Sequence, residues 1–230
     1  MRLGNITEAE ILKQAQHQYE NETANITLDI QKTALLVIDM QDEFIKPHWT
    51  HFWIPQATRI VPTINQIIKA CRNTKIPIIF TVYSKTHNYL DRPHTLWNMP
   101  SRSYTKEIDQ STLFQTGTIW KDISQEKNDI IIHKSSYGAF FDTPLETILK
   151  NLNKDTVIIT GTLTNFCCSM TARQAYERGF NVIFTSDATA THFPDMQEYE
   201  LKILRRGFAK IMTTSEILHT LTKDTQYGSN

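Results

Sequence analysis

The 230-residue chain carries 24 basic and 24 acidic side chains with no long run of either sign. It therefore has no electrostatic footprint for DNA, RNA or an anionic membrane, and the expected partner is a small molecule or another protein. Three cysteines, two of them adjacent, make no disulfide framework; with no signal pattern and no apolar run of about 18 residues, a soluble cytoplasmic protein is the expectation.

Residues 1–29 hold one helical stretch, Glu8 to Glu20, and then a polar linker. They read as a surface arm or subunit contact ahead of one α/β domain over residues 30–222, with 223–230 as a tail. Six runs rich in Ile and Val recur at about 34–38, 76–82, 129–133, 155–160, 181–185 and 209–213. They are continuous rather than alternating, which suits strands buried on both faces. Alternating with helices, they predict a three-layer α/β/α sandwich around a mostly parallel sheet of about six strands. After the first run, Ile60, Val61, Ile64, Ile67, Ile68 and Cys71 share one helical face, with Pro62 tolerable in the first turn. Residues 84–128 form a long polar connection dotted with Tyr89, His94, Trp97, Tyr104, Phe114 and Trp120, and read as a substrate lid or a dimer contact. Thr143-Pro144-Leu145-Glu146 has the pattern of a capping box, opening a helix with Leu145, Ile148, Leu149 and Leu152 as its apolar stripe. Arg178-Gly179 stops the helix that begins near Cys167. Asp195 and Glu198 open another, which Gly207 ends.

Three reactive groups stand at the ends of apolar runs. Asp39 closes Ala34-Leu35-Leu36-Val37-Ile38, and Lys134 follows Ile130-Ile131-Ile132-His133. Cys167 lies where Val157-Ile158-Ile159-Thr160-Gly161 gives way to a helix-forming segment. In a parallel sheet the carboxyl ends of the strands share one edge, and ligands bind along it. An acid, an ammonium and a thiol on that edge are the parts of a nucleophilic enzyme. Lys134 and the helix N-terminus favour the Cys167 thiolate, Asp39 takes the thiol proton and delivers it to a leaving nitrogen, and backbone N–H groups around Leu163 and Cys167 hold an oxyanion.

The segments Leu36-Val37-Ile38-Asp39-Met40-Gln41-Asp42-Glu43-Phe44, Lys134-Ser135-Ser136-Tyr137-Gly138-Ala139-Phe140 and Gly161-Thr162-Leu163-Thr164-Asn165-Phe166-Cys167-Cys168-Ser169-Met170-Thr171-Ala172-Arg173 resemble, in order and spacing, the three signature regions of the isochorismatase-like cysteine hydrolases. That family includes nicotinamidases, N-carbamoylsarcosine amidohydrolases and ureidoacrylate amidohydrolases, and the resemblance runs from about residue 30 to about residue 220. It implies Asp39, Lys134 and Cys167 as a catalytic triad acting through a thioester, with no cofactor. It also implies a cis peptide between Thr162 and Leu163, which turns the Leu163 N–H toward the oxyanion beside that of Cys167. A homo-oligomer is implied as well.

Departures from the family pattern narrow the expectation. Thr81-Val82-Tyr83-Ser84-Lys85-Thr86-His87 lacks the Asp-x-His element of the nicotinamidases, and His48, His51, His87 and His94 have no ligand spacing, so no metal is expected. True isochorismatases lack the cysteine and carry an arginine where Ser136 stands. The expected reaction is therefore hydrolysis of the C–N bond of a small linear amide, carbamoyl or ureido compound, ahead of isochorismatase or nicotinamidase activity. Phe44, Trp53, Tyr137 and Phe140 are the pocket candidates. Cys168 reads as a small buried hydrophobe and Asp187 as a turn or cap residue. Two alternatives stay open: a catalytically silent member that binds a metabolite or partner, and a redox sensor using Cys167 and Cys168.

Overall fold

The structure, a computed structural model, describes residues 4, 6–101 and 113–227. Its centre is a six-stranded sheet of β1 (Thr33–Ile38), β2 (Ile78–Tyr83), β3 (Ile130–Lys134), β4 (Thr156–Thr162), β5 (Asn181–Ala190) and β6 (Lys210–Met212), ordered β3-β2-β1-β4-β5-β6. Every pairing is parallel. Each residue of β1, β2 and β4 is buried, which is why these strands are apolar without alternation. The two-residue period still sorts side chains between layers: Leu35 and Val37 enter one core, while Ala34, Leu36 and Ile38 enter the other.

Helices cover both faces. One core takes Ala57 of α3 (Pro55–Arg59), the apolar face of α4 (Val61–Asn73) and Ile217 and Leu221 of α8 (Thr214–Tyr227). The other takes Leu145 and Leu149 of α5 (Leu145–Asn151), Ala172 and Ala175 of α6 (Ser169–Glu177) and Leu204 of α7 (Pro194–Gly207). The α4 face is the predicted one, with Val61, Ile64, Ile67, Ile68 and Cys71 buried and Pro62 in the first turn, where its missing N–H costs nothing. Helix α1 (Glu8–Glu20) opens with a capping box between Thr7 and Glu10 and buries no residue. It rests on α7 through Arg206, which donates to Gln18 Oε1 at 3.2 Å and to the Tyr19 hydroxyl at 2.9 Å. Among the described residues no helix is long and apolar enough to cross a membrane.

Several expectations change. The box at Thr143 does not form: α5 starts one residue later, Thr143 Oγ1 accepts the Leu145 N–H at 3.3 Å, and Glu146 turns instead to Lys150 and to Arg178, the latter at 3.1 Å. Two cations outcompete the single N–H that a box would offer. Within the stripe, Ile148 is only partly buried and Leu152 is exposed. Helix α8 runs on to Tyr227, past residue 222. Strand β5 extends to Ala190 across a shift in its pairing between Ile159 and Gly161.

Two features shape the carboxyl edge. Gly161 has φ +114°, and a Cβ there would lie 2.1 Å from the Ile38 carbonyl oxygen, so the ends of β1 and β4 approach as closely as only glycine allows. The end of the long connection folds back over β1: Ile119 bridges Gln41 in antiparallel fashion, Trp120 N–H donates to Met40 O at 2.9 Å and Asp42 N–H to Thr118 O at 2.9 Å. Tyr104 lies outside the described residues, as do the side chains of Tyr89 and Trp97.

Candidate active site

The sheet order decides which strand ends can meet. Asp39 follows β1, and Cys167 follows β4, its immediate neighbour. Lys134 ends β3, two strands from β1, and two strand spacings are about 10 Å. A long side chain spans that gap across β2. Lys134 Nζ reaches Asp39 Oδ2 at 2.7 Å and Cys167 Sγ at 3.5 Å, and its remaining proton goes to Ser136 O at 2.9 Å. All three ammonium protons are thereby used. The Lys134 and Asp39 side chains have no solvent exposure, and Cys167 has 4%.

Each group is held by its local backbone. Asp39 has φ +49°, a left-handed turn that aspartate tolerates, and Thr81 Oγ1 in the middle of β2 donates to its Oδ1 at 2.8 Å. Thr164–Cys168 forms a wide π-type turn in which Cys168 N–H reaches Leu163 O at 3.1 Å, a geometry often found at functional sites. This turn carries Cys167 into α6. Its far side is tied down by Thr191 Oγ1, which donates to Asn165 Oδ1 at 2.6 Å. The Thr162–Leu163 peptide is cis. Cys168 is wholly buried, its Sγ near Thr160 O at 3.9 Å. Asp187 Oδ1 accepts the Thr214 N–H at 2.8 Å at the start of α8, a structural cap.

Electrostatics set the resting state. Burial pushes the Cys167 thiol up to about 12; the Lys134 charge opposes this, while the Asp39 charge and a hydrogen bond to Asp39 reinforce it. Burial also works against the Lys134 ammonium, but attraction to Asp39 and Cys167, with the Asp39 hydrogen bond, raises its pKa above the ordinary value. The resting trio is thus an ammonium, a carboxylate and a thiol. The ammonium favours the thiolate, in the direction the sequence suggests, and desolvation opposes it.

A cavity of about 380 Å³ opens above Cys167. Of the four aromatic candidates, the structure brings Phe44 and Tyr137 to it, with Leu163. Trp53 and Phe140 do not line it. Trp53 Nε1 donates to Thr58 Oγ1 at 3.0 Å and its ring meets His48, while Phe140 is buried 5.7 Å from the Phe180 ring. Phe52, the neighbour of Trp53 in sequence, lines the cavity in its stead, and Phe166, beside Cys167, pairs with Tyr137 at 5.3 Å.

Other residues of the site carry weaker sequence signals. Thr81 interrupts the apolar run of β2, and Tyr83 ends it. Glu43 is 4% exposed although flanked by Phe44; its carboxylate accepts the Phe114 N–H and the Gln41 side-chain N–H, both at 2.8 Å. Gln41 in turn pairs with the Tyr83 backbone, accepting its N–H at 2.7 Å. An acid and an amide in a buried stretch were the signal for this brace. Among the described residues no group of three His, Cys, Asp or Glu side chains is placed to hold a metal ion; of the four histidines, His51 reaches the cavity and His87 pairs with Asp91 at 3.4 Å. A larger hollow of about 510 Å³ lies at the amino end of β5, beside α1 and α7, and contains none of the three reactive groups.

The isochorismatase domain profile matches residues 33–216. Nicotinamidase 3 of Arabidopsis thaliana is 31% identical over 194 residues, covering 82% of this chain and 88% of that protein. Among solved structures, a cysteine hydrolase from Pseudomonas syringae pv. phaseolicola 1448A superposes with a TM-score of 0.77 at 24% identity, over 89% of this chain and 99% of that one. The N-carbamoylsarcosine amidase of Thermoplasma acidophilum superposes with a TM-score of 0.63, also at 24% identity, over 80% of this chain and 96% of that one. Both superpositions establish the shared fold.

Proposed function

The chain belongs to the isochorismatase family of hydrolases, and from that premise we propose that it cleaves the C–N bond of a small amide, carbamoyl or ureido compound through a thioester on Cys167. The observation that carries this reading is the contact of one buried ammonium with both a carboxylate, at 2.7 Å, and a thiol, at 3.5 Å, beneath a cavity. The kinship with a protein named nicotinamidase supports amide chemistry.

The steps follow from the resting charges. Cys167 Sγ attacks the carbonyl carbon as its proton passes to Asp39, the carboxylate that shares the Lys134 ammonium with the thiol. Lys134 keeps its proton and offsets the negative charge that moves between oxygen and sulfur. The backbone N–H groups of Leu163 and Cys167 stabilise the carbonyl oxygen as it becomes an oxyanion. Asp39 then protonates the departing nitrogen, the C–N bond breaks, and ammonia or an amine leaves. Asp39 next deprotonates a water, which cleaves the thioester and restores the thiol.

The test is ammonia release from nicotinamide and from carbamoyl and ureido compounds. One of these classes is turned over, and Cys167→Ser loses about 10⁴-fold or more in kcat at unchanged circular dichroism, while Cys168→Ala stays within a few-fold. Release that survives in Cys167→Ser and vanishes in Cys168→Ala moves the nucleophile and overturns the assignment.

A further inference from the structure

The walls above Cys167 restrict what the cavity admits. Phe193 stands exposed at the mouth; inside it the Phe and Tyr side chains are Phe44, Phe52, Tyr83, Phe114, Tyr137 and Phe166, none of them charged. They form two groups. Phe114 is the hub of the first, with ring centroids 5.6 Å from Phe44, 5.2 Å from Phe52 and 5.2 Å from Tyr83. Tyr137 and Phe166 make the second, 5.3 Å apart. The first group belongs to the core on the α4 face, whereas Tyr137 packs on the core of the α6 face. The cavity therefore lies between aromatic surfaces contributed by the two layers.

Among the described residues, the cations nearby are already committed. Lys134 spends its three protons beneath the floor. Arg92 stands behind the wall, its guanidinium 4.4 Å from the Tyr83 ring centroid and its Nη2 donating to Ser84 O at 3.0 Å. Apart from the Tyr83 and Tyr137 hydroxyls and the Cys167 thiol, the polar side chains lining the cavity are those of the exposed residues His51, Ser101 and His192. Desolvation lowers the pKa of His192, which leaves its imidazole neutral at pH 7. Among the described lining residues, then, nothing offers a fixed positive charge to a carboxylate, and one buried there would stay unpaired. A volume of about 380 Å³ sits near the small end of ligand pockets, which run from about 300 to 1,000 Å³. It suits one ring and an amide.

We propose that this site takes an uncharged carboxamide whose acyl group is a single carbocyclic ring or a branched alkyl chain, with the apolar part between the two aromatic groups and the carbonyl over Cys167. The turnover part rests on the C–N hydrolase reading above; the binding part rests on the walls alone. The reaction converts the amide and one water into ammonia and a carboxylic acid. That acid ionises into the kind of anion the walls disfavour, so the product leaves readily.

The experiment uses the full chain and two readouts. Ammonia release is measured with phenylacetamide and isobutyramide, with nicotinamide as a ring carrying a polar nitrogen, and with succinamate as an amide carrying a carboxylate. Binding of the same four compounds and of phenylacetate to Cys167→Ala is followed by calorimetry. The expected kcat/KM for phenylacetamide exceeds that for succinamate by about 100-fold or more and that for nicotinamide by about 10-fold, and phenylacetate binds at least about 10-fold more weakly than phenylacetamide. Turnover of succinamate or nicotinamide at or above the rate of phenylacetamide overturns the substrate class and leaves the C–N hydrolase reading intact. Tight binding of phenylacetamide to Cys167→Ala, with no ammonia released from any compound by the parent protein, upholds the pocket and overturns the hydrolase reading. Failure of both apolar amides to bind overturns the proposal outright.

Discussion

The floor and the walls of the cavity are built from different materials. The floor consists of three ionisable groups, each at or just beyond the carboxyl end of a strand and each nearly or wholly buried. Their contacts of 2.7 and 3.5 Å are directional and charged. The walls consist of uncharged rings borne, apart from Tyr83 at the end of β2, by the segments between strands, from Phe44 after β1 to Phe193 after β5, with centroids 5.2 to 5.6 Å apart where they touch. A sheet edge fixes the reacting atoms, and connections that a sheet does not constrain shape what reaches them. Changes to the floor should thus damage chemistry and stability together, whereas changes to the walls should alter substrate binding.

The largest effect is expected of Asp39→Asn, which leaves the Lys134 ammonium buried without its counter-ion. Ammonia release falls by about 10⁴-fold, and urea denaturation shows a loss of about 3–5 kcal/mol. A variant as stable as the parent would show that the pair is not the structural unit described here. Next comes Gly161→Ala, which places a methyl group 2.1 Å from Ile38 O at φ +114°. It destabilises by about 3 kcal/mol or more, whereas Gly207→Ala, with nothing within 4 Å, is neutral or stabilising by up to about 1 kcal/mol.

The pH dependence of Cys167 separates charge from burial. Because its pKa is raised to about 12, the thiol is protonated at neutrality, and its alkylation by iodoacetamide should climb with each unit between about pH 7 and 9 without a plateau. Lys134 lowers that pKa, so its removal raises it further. Lys134→Met is accordingly alkylated about 10-fold more slowly at every pH in that window. Equal rates at equal folding would assign the thiol's reactivity to the backbone of the turn and α6. Cys71, also raised to about 12 but by burial alone in α4, stays unreactive throughout.

Wall changes should be smaller and of another kind. Glu43→Gln weakens the brace on Phe114 and Gln41, with a rise in KM of about 10-fold and kcat within about 3-fold. A larger fall in kcat than rise in KM would join this residue to the floor. The smallest effect is expected of Trp53→Phe, which changes neither constant by more than about 2-fold, since Trp53 faces Thr58 and His48 and not the cavity.

Much of this was legible because strand burial and chemistry coincide in the sequence. The runs ending at Ile38, His133 and Gly161 announce their own termini, and a charged or nucleophilic residue follows each. Phe44 and Tyr137 were legible for the same reason, lying just beyond those ends. Phe52 and Phe114 sit in irregular chain, where no periodicity says which of two neighbouring aromatics turns inward, and it is Phe52 rather than the expected Trp53 that does so. Thr81 hides inside a strand as a residue of good β-propensity. The failed cap at Thr143 has a similar cause: Arg178, which draws Glu146 away, is 32 residues distant in sequence.

Composition and periodicity alone determined the layered parallel fold and the edge on which Asp39, Lys134 and Cys167 stand, because burial on both faces leaves a strand few residue types and a parallel sheet puts all its carboxyl ends together. Tertiary structure decided the strand order that makes Lys134 reach across β2, the pairing of Thr81 and Glu43 with groups far along the chain, and the rings that wall the cavity. It also decided the protonation of Cys167. A pKa depends on how much water is removed and which charges are within reach, and neither is written in a residue's neighbours along the chain.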